Sequence, residues 1–252
     1  MSDPLATTFD TLVGALAAAS AALGRPVAAE DGLVASGRAF RLEIDEHLRL
    51  VPPGKAAIDE ALRGIGLEGT ASSSLDELRA HEGPALVWGI GGSVFGLALG
   101  SEQGELRVRS PLSKDELRVP PALLAGPKLV TVLVKRLVAP APLDRARVAR
   151  EELERGAYRA WSRVLATHPL SRLDAEGNAW TIARAGEAAR AARRVVDSAE
   201  LAGELGLLAE LRSLFPLPDG GSLAAERLER GARLLREAAE ARDAWLRALV
   251  AG

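Results

Sequence analysis

The chain contains no cysteine, only 3 histidines and few aromatic residues. Without Cys it can form no disulfide, thiolate zinc site or iron–sulfur ligation, and it has no thiol nucleophile. The histidines lie in three separate regions, at 47, 81 and 168, so no repeated ligand spacing predicts a metal site. His47 stands among acidic residues, and a solvated charged turn accounts for that segment. We therefore expect neither a metal nor a cofactor.

The charges are balanced, and no apolar run is long. Lys and Arg number 32 against 34 Asp and Glu, so no basic field predicts nucleic-acid binding. The apolar stretch 12–23 is mostly alanine and stops at Gly24, which is too short for a membrane span. Residues 1–4 carry no basic signal region. We expect a cytoplasmic protein that does not contact a membrane.

A change of composition near residue 140 divides the chain. Before it, β-rich runs and turn signals alternate with short helices; after it, strand signals vanish. The 252 residues are enough for two cores. The sequence predicts an α+β domain over 1–138, a proline-rich linker over 139–143 and an all-α helical domain over 144–252.

Periodicity and turn residues predict the elements of the first domain. A buried helix follows Asp10 and ends at Gly24, and a capping box at Ser74 opens a short helix. Residues 113–116 predict one more helical turn. The glycine-rich stretch 64–69 matches a dinucleotide-binding pattern but follows a helix instead of a strand, so we interpret it as a loop. Predicted strands cover 39–44, 85–90, 94–99, 105–109 and 129–138.

Amphipathic helices account for the second domain. One apolar face runs from Leu153 through Trp161 to Val164. The last helix, 224–250, carries Leu234, Trp245 and Leu249 on one stripe. This stripe predicts either packing within the chain or a homodimer interface.

Three segments resemble known proteins. The stretch Asp10–Gly24 resembles the nucleophile helix of papain-like peptidases that remove double-glycine leader peptides, with Thr11 in the place of the Cys. Residues 36–41, Ser-Gly-Arg-Ala-Phe-Arg, resemble the related butirosin-biosynthesis acyltransferases. Residues 177–180, Gly-Asn-Ala-Trp, resemble the helical C-terminal domain of that group. The resemblance implies a degenerate papain-like N-terminal domain, related to cysteine peptidases.

The catalytic residues of that group are replaced here. Val94 takes the position of the family His, and Ser110 that of the family Asp. Thr11, Val94 and Ser110 supply a weak nucleophile, no base and no carboxylate, so the ancestral thiol reaction is excluded. A one-residue slip would place Ser93 at the His position, and serine is no base either. Residues expected to line the former pocket are Asp10, Arg38, Trp88 and Ser93.

Three functions remain open from the sequence. The leading one is a pseudoenzyme, a non-catalytic relative that binds a peptide, a carrier-linked acyl group or a partner enzyme. The second is a natural-product acyltransferase that works by positioning two substrates without a covalent intermediate. The third is an assembly module whose helical domain forms a homodimer.

Overall fold

Contacts between residues divide the chain into two units. The first comprises Met1–Ser36 with Pro52–Leu143, and the second Gly37–Val51 with Asp144–Gly252. This division differs from the sequence-based boundaries by giving Gly37–Val51 to the helical unit. The structure, a computed structural model, describes residues 4–45, 48, 53–90, 94–113, 115–120, 123, 130–167 and 169–252.

The first unit is organised around an antiparallel sheet. In the described part of the chain its strands are β1 (Leu67–Ser72), β2 (Ala85–Trp88), β3 (Phe95–Glu102), β4 (Glu105–Arg109), β5 (Leu117–Val119) and β6 (Thr131–Leu137). Their spatial order is β1-β6-β2-β3-β4-β5. The β2–β3–β4 meander follows the predicted runs. Burial alternates along β4, whereas Ala85–Val87 of β2 and Phe95–Ala98 of β3 are buried on both faces of the sheet.

Helix α1 (Thr11–Ala22) is the central helix of this unit. The Asp10 side chain caps it by accepting a hydrogen bond from the Val13 N–H at 3.2 Å. Residues 11–20 are all buried, as expected for a helix that is apolar on every side. Its alanine-rich surface packs with side chains from the sheet, among them Leu86, Phe95 and Val132.

Three shorter helices complete the first unit: α2 (Ala29–Ala35), α3 (Lys55–Ile65) and α4 (Leu75–Ala80). The glycine-rich stretch 64–69 spans the end of α3 and the start of β1. A Cβ on Gly64 would lie 1.9 Å from the Ala35 carbonyl oxygen, and Gly66 ends α3 in the left-handed region at φ +78°. These glycines serve helix packing and helix termination, so the stretch is not the single loop that the sequence suggested.

A guanidinium group closes the end of α3. Arg25 donates hydrogen bonds to the carbonyls of Ile65 at 2.7 Å and of Val138 at 2.8 Å, and a further bond to Gly66. Helix-terminal carbonyls have no partner within the helix, and a cation there also favours the helix dipole. Arg25 therefore ties the end of α3 to the chain that follows β6.

We predict that Arg25→Met lowers the free energy of unfolding of the first unit by about 2 kcal/mol, because hydrogen bonds from a charged donor are lost. Chemical denaturation followed by circular dichroism measures the change. Arg136→Met is the matched control, since Arg136 pairs with Glu68 at the surface and such pairs contribute about 0–1 kcal/mol. Equal effects of the two substitutions would contradict the assigned role of Arg25.

The second unit is helical. It contains α5 (Arg145–Arg155), α6 (Ala157–Thr167), α7 (Arg172–Ala192), α8 (Ala199–Leu214) and α9 (Ala225–Ala251). The apolar face predicted to run from Leu153 to Val164 is divided between α5 and α6, because Gly156 adopts a left-handed conformation at φ +58°. Trp161, Phe215 and Trp245 are among its largest buried side chains.

The strand predicted over 39–44 is wrong. Residues 36–40 form turns, residues 41–43 are irregular, and only Ile44 makes a β-bridge. The alternating pattern reflects buried cations instead of a sheet face: Arg38 pairs with Glu43, and Arg41 pairs with Glu151 of α5. Farther along, the Thr181 hydroxyl of α7 donates to the Leu48 carbonyl at 3.0 Å.

The coarse fold class is confirmed: a mixed α+β chain with a helical C-terminal region. In the first unit β1 and β5 were not predicted. The helical turn predicted at 113–116 is not formed by the described residues there: Asp115 is a bend and β5 begins at Leu117. The Ser113 hydroxyl donates to the Asp115 carbonyl, and Glu116 pairs with Arg107. Within the described ranges, no helix combines the length and hydrophobicity of a membrane span.

Candidate functional site

Thr11, the position matched to the family nucleophile, is the first residue of α1. Its Oγ1 accepts a hydrogen bond from the Phe95 N–H at 3.0 Å, and the residue is 7% exposed. The neighbouring Asp10 is buried and occupied as the helix cap. The hydroxyl thus has a structural role: it joins the start of α1 to the first residue of β3.

Val94 and Trp88 lie beside this bond. Val94 is buried immediately before β3, and its carbonyl accepts from the Gly89 N–H at 2.9 Å. Trp88, the last residue of β2, is paired in register with Phe95. The two rings meet edge to face with centroids 5.0 Å apart. Trp88 remains partly exposed, which leaves aromatic surface at this end of the sheet.

Ser110 follows the last residue of β4 and is buried. Its hydroxyl donates to the Ile90 carbonyl at 3.3 Å and accepts from the Leu112 N–H at 3.2 Å. Both bonds hold local backbone in place.

Strand pairing brings these positions to one end of the sheet. In an antiparallel meander the end of β2, the start of β3 and the end of β4 share an edge, and Leu97 of β3 is registered with Arg109. Thr11, Trp88, Val94 and Ser110 therefore meet in one region. Of the other predicted pocket residues, Ser93 lies outside the described residues, and Arg38 belongs to the second unit.

The described residues of this region do not form the constellation of a covalent catalyst. Acyl transfer through an enzyme intermediate needs a nucleophile and a base within hydrogen-bond reach of it. The recorded partner of the Thr11 hydroxyl is a backbone N–H, the His position is a valine, and Ser110 is bonded to main chain. This end of the sheet therefore consists of side chains hydrogen-bonded to the main chain, beside the partly exposed ring of Trp88.

Arg38 forms part of a buried ion pair in the helical unit. Its Nη1 lies 2.6 Å from Oε2 of Glu43, and both side chains are largely buried. Burial raises the pKa of Glu43, but the charge and hydrogen bond of Arg38 outweigh it and leave the pKa below its ordinary value of 4.5. The pair thus stabilises the folded state when Glu43 is ionised.

We predict that Glu43→Gln destabilises the protein most at neutral pH. The folded-state pKa of Glu43 is depressed, so its contribution is complete above 4.5 and is lost as the pH falls through that lower value. The difference in unfolding free energy between wild type and variant should therefore shrink below pH 4.5. Denaturation curves from pH 7 to pH 3 measure it, with Glu240→Gln, an exposed position on α9, as the control. A difference that does not change with pH would contradict this role.

A second buried charge cluster lies deeper in the helical unit, around Arg242 of α9. Arg242 Nη1 donates to Glu204 at 3.0 Å, Nη2 donates to the Phe40 carbonyl at 2.8 Å, and Nε lies 3.5 Å from Glu152. Glu204 is fully buried and also accepts from Tyr158 Oη at 2.8 Å and Trp245 Nε1 at 2.6 Å. The cluster therefore joins α5, α6, α8 and α9 with the segment before α3.

The pKa directions agree with such burial. Desolvation, followed by the nearby charge of Glu204, raises the pKa of Tyr158 well above its ordinary range. Desolvation also raises the pKa of Glu152, although Arg242 and Arg155 oppose it. Desolvation alone would lower the pKa of Arg242, but the charge of Glu204 raises it above its ordinary value. Arg242 therefore keeps its positive charge in the folded protein.

We predict that Arg242→Met destabilises the helical unit by about 3–5 kcal/mol, because it leaves the buried carboxylate of Glu204 without its cation. Urea unfolding followed by circular dichroism measures the loss. Arg247→Met, five residues later on α9, is the matched control: Arg247 is exposed and lies 3.7 Å from Asp243, so its loss should cost about 1 kcal/mol or less. A similar small effect of both substitutions would refute the central role of Arg242.

Sequence reasoning missed this cluster. Glu152, Glu204 and Arg242 stand on helices whose order in space the periodicity does not specify. In the sequence, the cluster could be recognised only from charged residues that stand on the apolar faces of their helices. Of the stripe predicted on the last helix, Leu234 and Trp245 are buried within the described chain, and Leu249 is partly exposed. The homodimer remains a prediction.

No model of a known protein family matches this chain, and no curated protein matches it either. Its function has to be argued from the geometry of its own residues.

Proposed function

We propose that this chain is a non-catalytic relative of papain-like acyltransferases and peptidases that binds a ligand at the former catalytic end of its sheet. The observation that carries the proposal is the hydrogen bond from the Phe95 N–H to Thr11 Oγ1. This bond joins a helix start to a strand start, near the strand end at Ser110. Papain-like enzymes use such positions, in this order along the chain, for a nucleophile, a base and an orienting group.

The loss of catalysis follows from the side chains at these positions. Thr11 has no imidazole to take its proton, and a threonine hydroxyl is a poor nucleophile without one. Val94 cannot supply that base. Ser110 carries no charge that could orient an imidazolium. Positioning catalysis by these neutral groups is the weaker alternative, because no described contact holds an ionisable group ready for proton transfer.

The ligand follows from what this end of the sheet still offers. The partly exposed ring of Trp88 supplies an apolar, aromatic surface, held by its contact with Phe95. Such a surface suits a peptide side chain, a carrier-linked acyl group or an apolar residue of a partner enzyme.

Restoring the lost side chains tests the proposed ancestry. We predict that the triple variant Thr11→Cys, Val94→His, Ser110→Asp has a thiol of depressed pKa, because a thiolate next to an imidazolium is stabilised. The rate of alkylation by iodoacetamide between pH 5 and 8 reports the thiolate fraction. At pH 5.5 the triple variant should react at least about tenfold faster than Thr11→Cys alone, which corresponds to a pKa lower by about one unit or more.

A matched control combines Val94→Gln with the other two substitutions. It presents the same thiol and carboxylate without a base, so its alkylation profile should follow that of Thr11→Cys. Circular dichroism establishes that each variant folds. If Val94→His alone prevents folding, a second set carries Ser93→His and keeps Val94. If neither histidine position lowers the thiol pKa in a folded variant, the papain-like assignment fails.

A further inference from the structure

A cleft of about 230 Å³ separates α7 from α8 in the helical unit. Its floor is made of aliphatic and small residues from both helices. Its lining comprises Ile182, Ala183, Gly186, Arg190, Leu205, Leu208, Ala209, Arg212 and Ser213. All of these belong to one unit, and none is among the residues discussed as the candidate site.

Gly186 keeps the floor of this cleft open. A glycine in the interior of a helix costs about 1 kcal/mol relative to alanine, so its presence calls for a reason. Close packing is not that reason here, because a Cβ at Gly186 would meet only the tip of the Arg190 side chain, at an ordinary 3.5 Å. A larger side chain at this position would instead fill space between α7 and α8.

The rim of the cleft is cationic. Arg190 and Arg212 line it, and no acidic residue is part of the lining. Arg190 is exposed and makes no hydrogen bond or ion pair with any residue in the described part of the chain. Helical side chains lean toward the N-terminus of their helix. Arg190 follows this tendency, because its Nη1 lies 3.5 Å from where a Cβ on Gly186, one turn earlier, would stand. Arg212 lines the same cleft from α8, the next helix along the chain.

The other two described clefts differ in this respect. One, beside α3 and β1, is lined by Lys55 and Arg63 together with Asp59 and Glu68. The second, beside α9, is lined by arginines interleaved with Glu226 and Glu229. A lining that carries both charge signs selects neither anions nor cations. An apolar floor under two guanidinium groups favours an anion with an apolar part.

We propose that the α7–α8 cleft binds a small amphiphile, an anionic head group on a short aliphatic chain. The head group contacts Arg190 and Arg212, and the chain lies on Leu205, Leu208 and Ile182. The volume is below the roughly 300–1,000 Å³ of pockets for drug-sized ligands, so it holds a short chain. This site is independent of the proposed function, because it uses no residue of the sheet-bearing unit.

Isothermal titration calorimetry of the full chain with octanoate, octyl phosphate and octanol tests the proposal. We predict saturable binding of at least one of the two anions and none of octanol. Binding of octanoate alone assigns a carboxylate ligand, and binding of octyl phosphate alone assigns a phosphate ligand; both outcomes support the site. Equal binding of octanol, or no binding of either anion, overturns it.

Three variants locate the bound anion. Arg190→Gln should weaken binding about tenfold or more, the loss expected for a hydrogen bond to a charged group. Ala209→Phe should abolish it, because Ala209 is exposed and lines the cleft, so a ring can fill the space without disturbing the core. Arg193→Gln, at the exposed end of α7 and outside the lining, is the matched control and should bind as wild type does. Binding that survives Ala209→Phe, or that falls equally in Arg193→Gln, overturns the assignment.

Discussion

The helical unit depends on one buried cation, the guanidinium of Arg242. It lies against carboxylates from α5 and α8 and donates to the carbonyl of Phe40, so three helices and the segment 37–48 converge on it. Buried charges are costly unless they are paired, and three donors converge on Glu204. Arg242 Nε and Glu152 Oε1 make no hydrogen bond and interact only as an ion pair at 3.5 Å. This geometry restricts how the helices can pack, because a shift of any one would leave a buried charge unmatched.

Alanine explains why the unit needs such a restriction. Many of the buried positions of α7 are alanine or glycine, which allow close packing but bury little apolar area per residue. Small side chains also fit several helix registers almost equally well. The directional contacts of Arg242, and the bond from Trp161 Nε1 to Asn178 at 2.8 Å, select one of them. The segment around Phe40 supplies one of these acceptors, so a helical unit without 37–51 would be incomplete.

Local patterns predicted the elements whose reasons are local. β4 was predicted with its observed bounds, and Ser74 caps the start of α4 by accepting from the Glu77 N–H. The second half of the predicted capping box is absent, because the Ser74 N–H donates to Ser72 Oγ instead of to the Glu77 carboxylate. β1 was missed because Leu67–Ser72 holds small and polar residues, and only its pairing with β6 makes it a strand. The segment 39–44 misled because Arg41 and Glu43 alternate with apolar residues while both form largely buried ion pairs, with Glu151 and Arg38. A periodicity argument assigns such charged residues to solvent.

The candidate site was predicted by resemblance alone, and the hydrogen bonds at its positions have structural roles. Thr11 Oγ1 satisfies the Phe95 N–H, and an unpaired buried N–H costs about 1–3 kcal/mol. A hydroxyl at the helix start therefore stabilises the contact between α1 and β3 whether or not it reacts. An aliphatic residue at position 11 would leave the Phe95 N–H unpaired and weaken this contact. The cleft between α7 and α8 is different in kind: Arg190 and Arg212 are far apart in sequence, and only helix packing brings them to one rim.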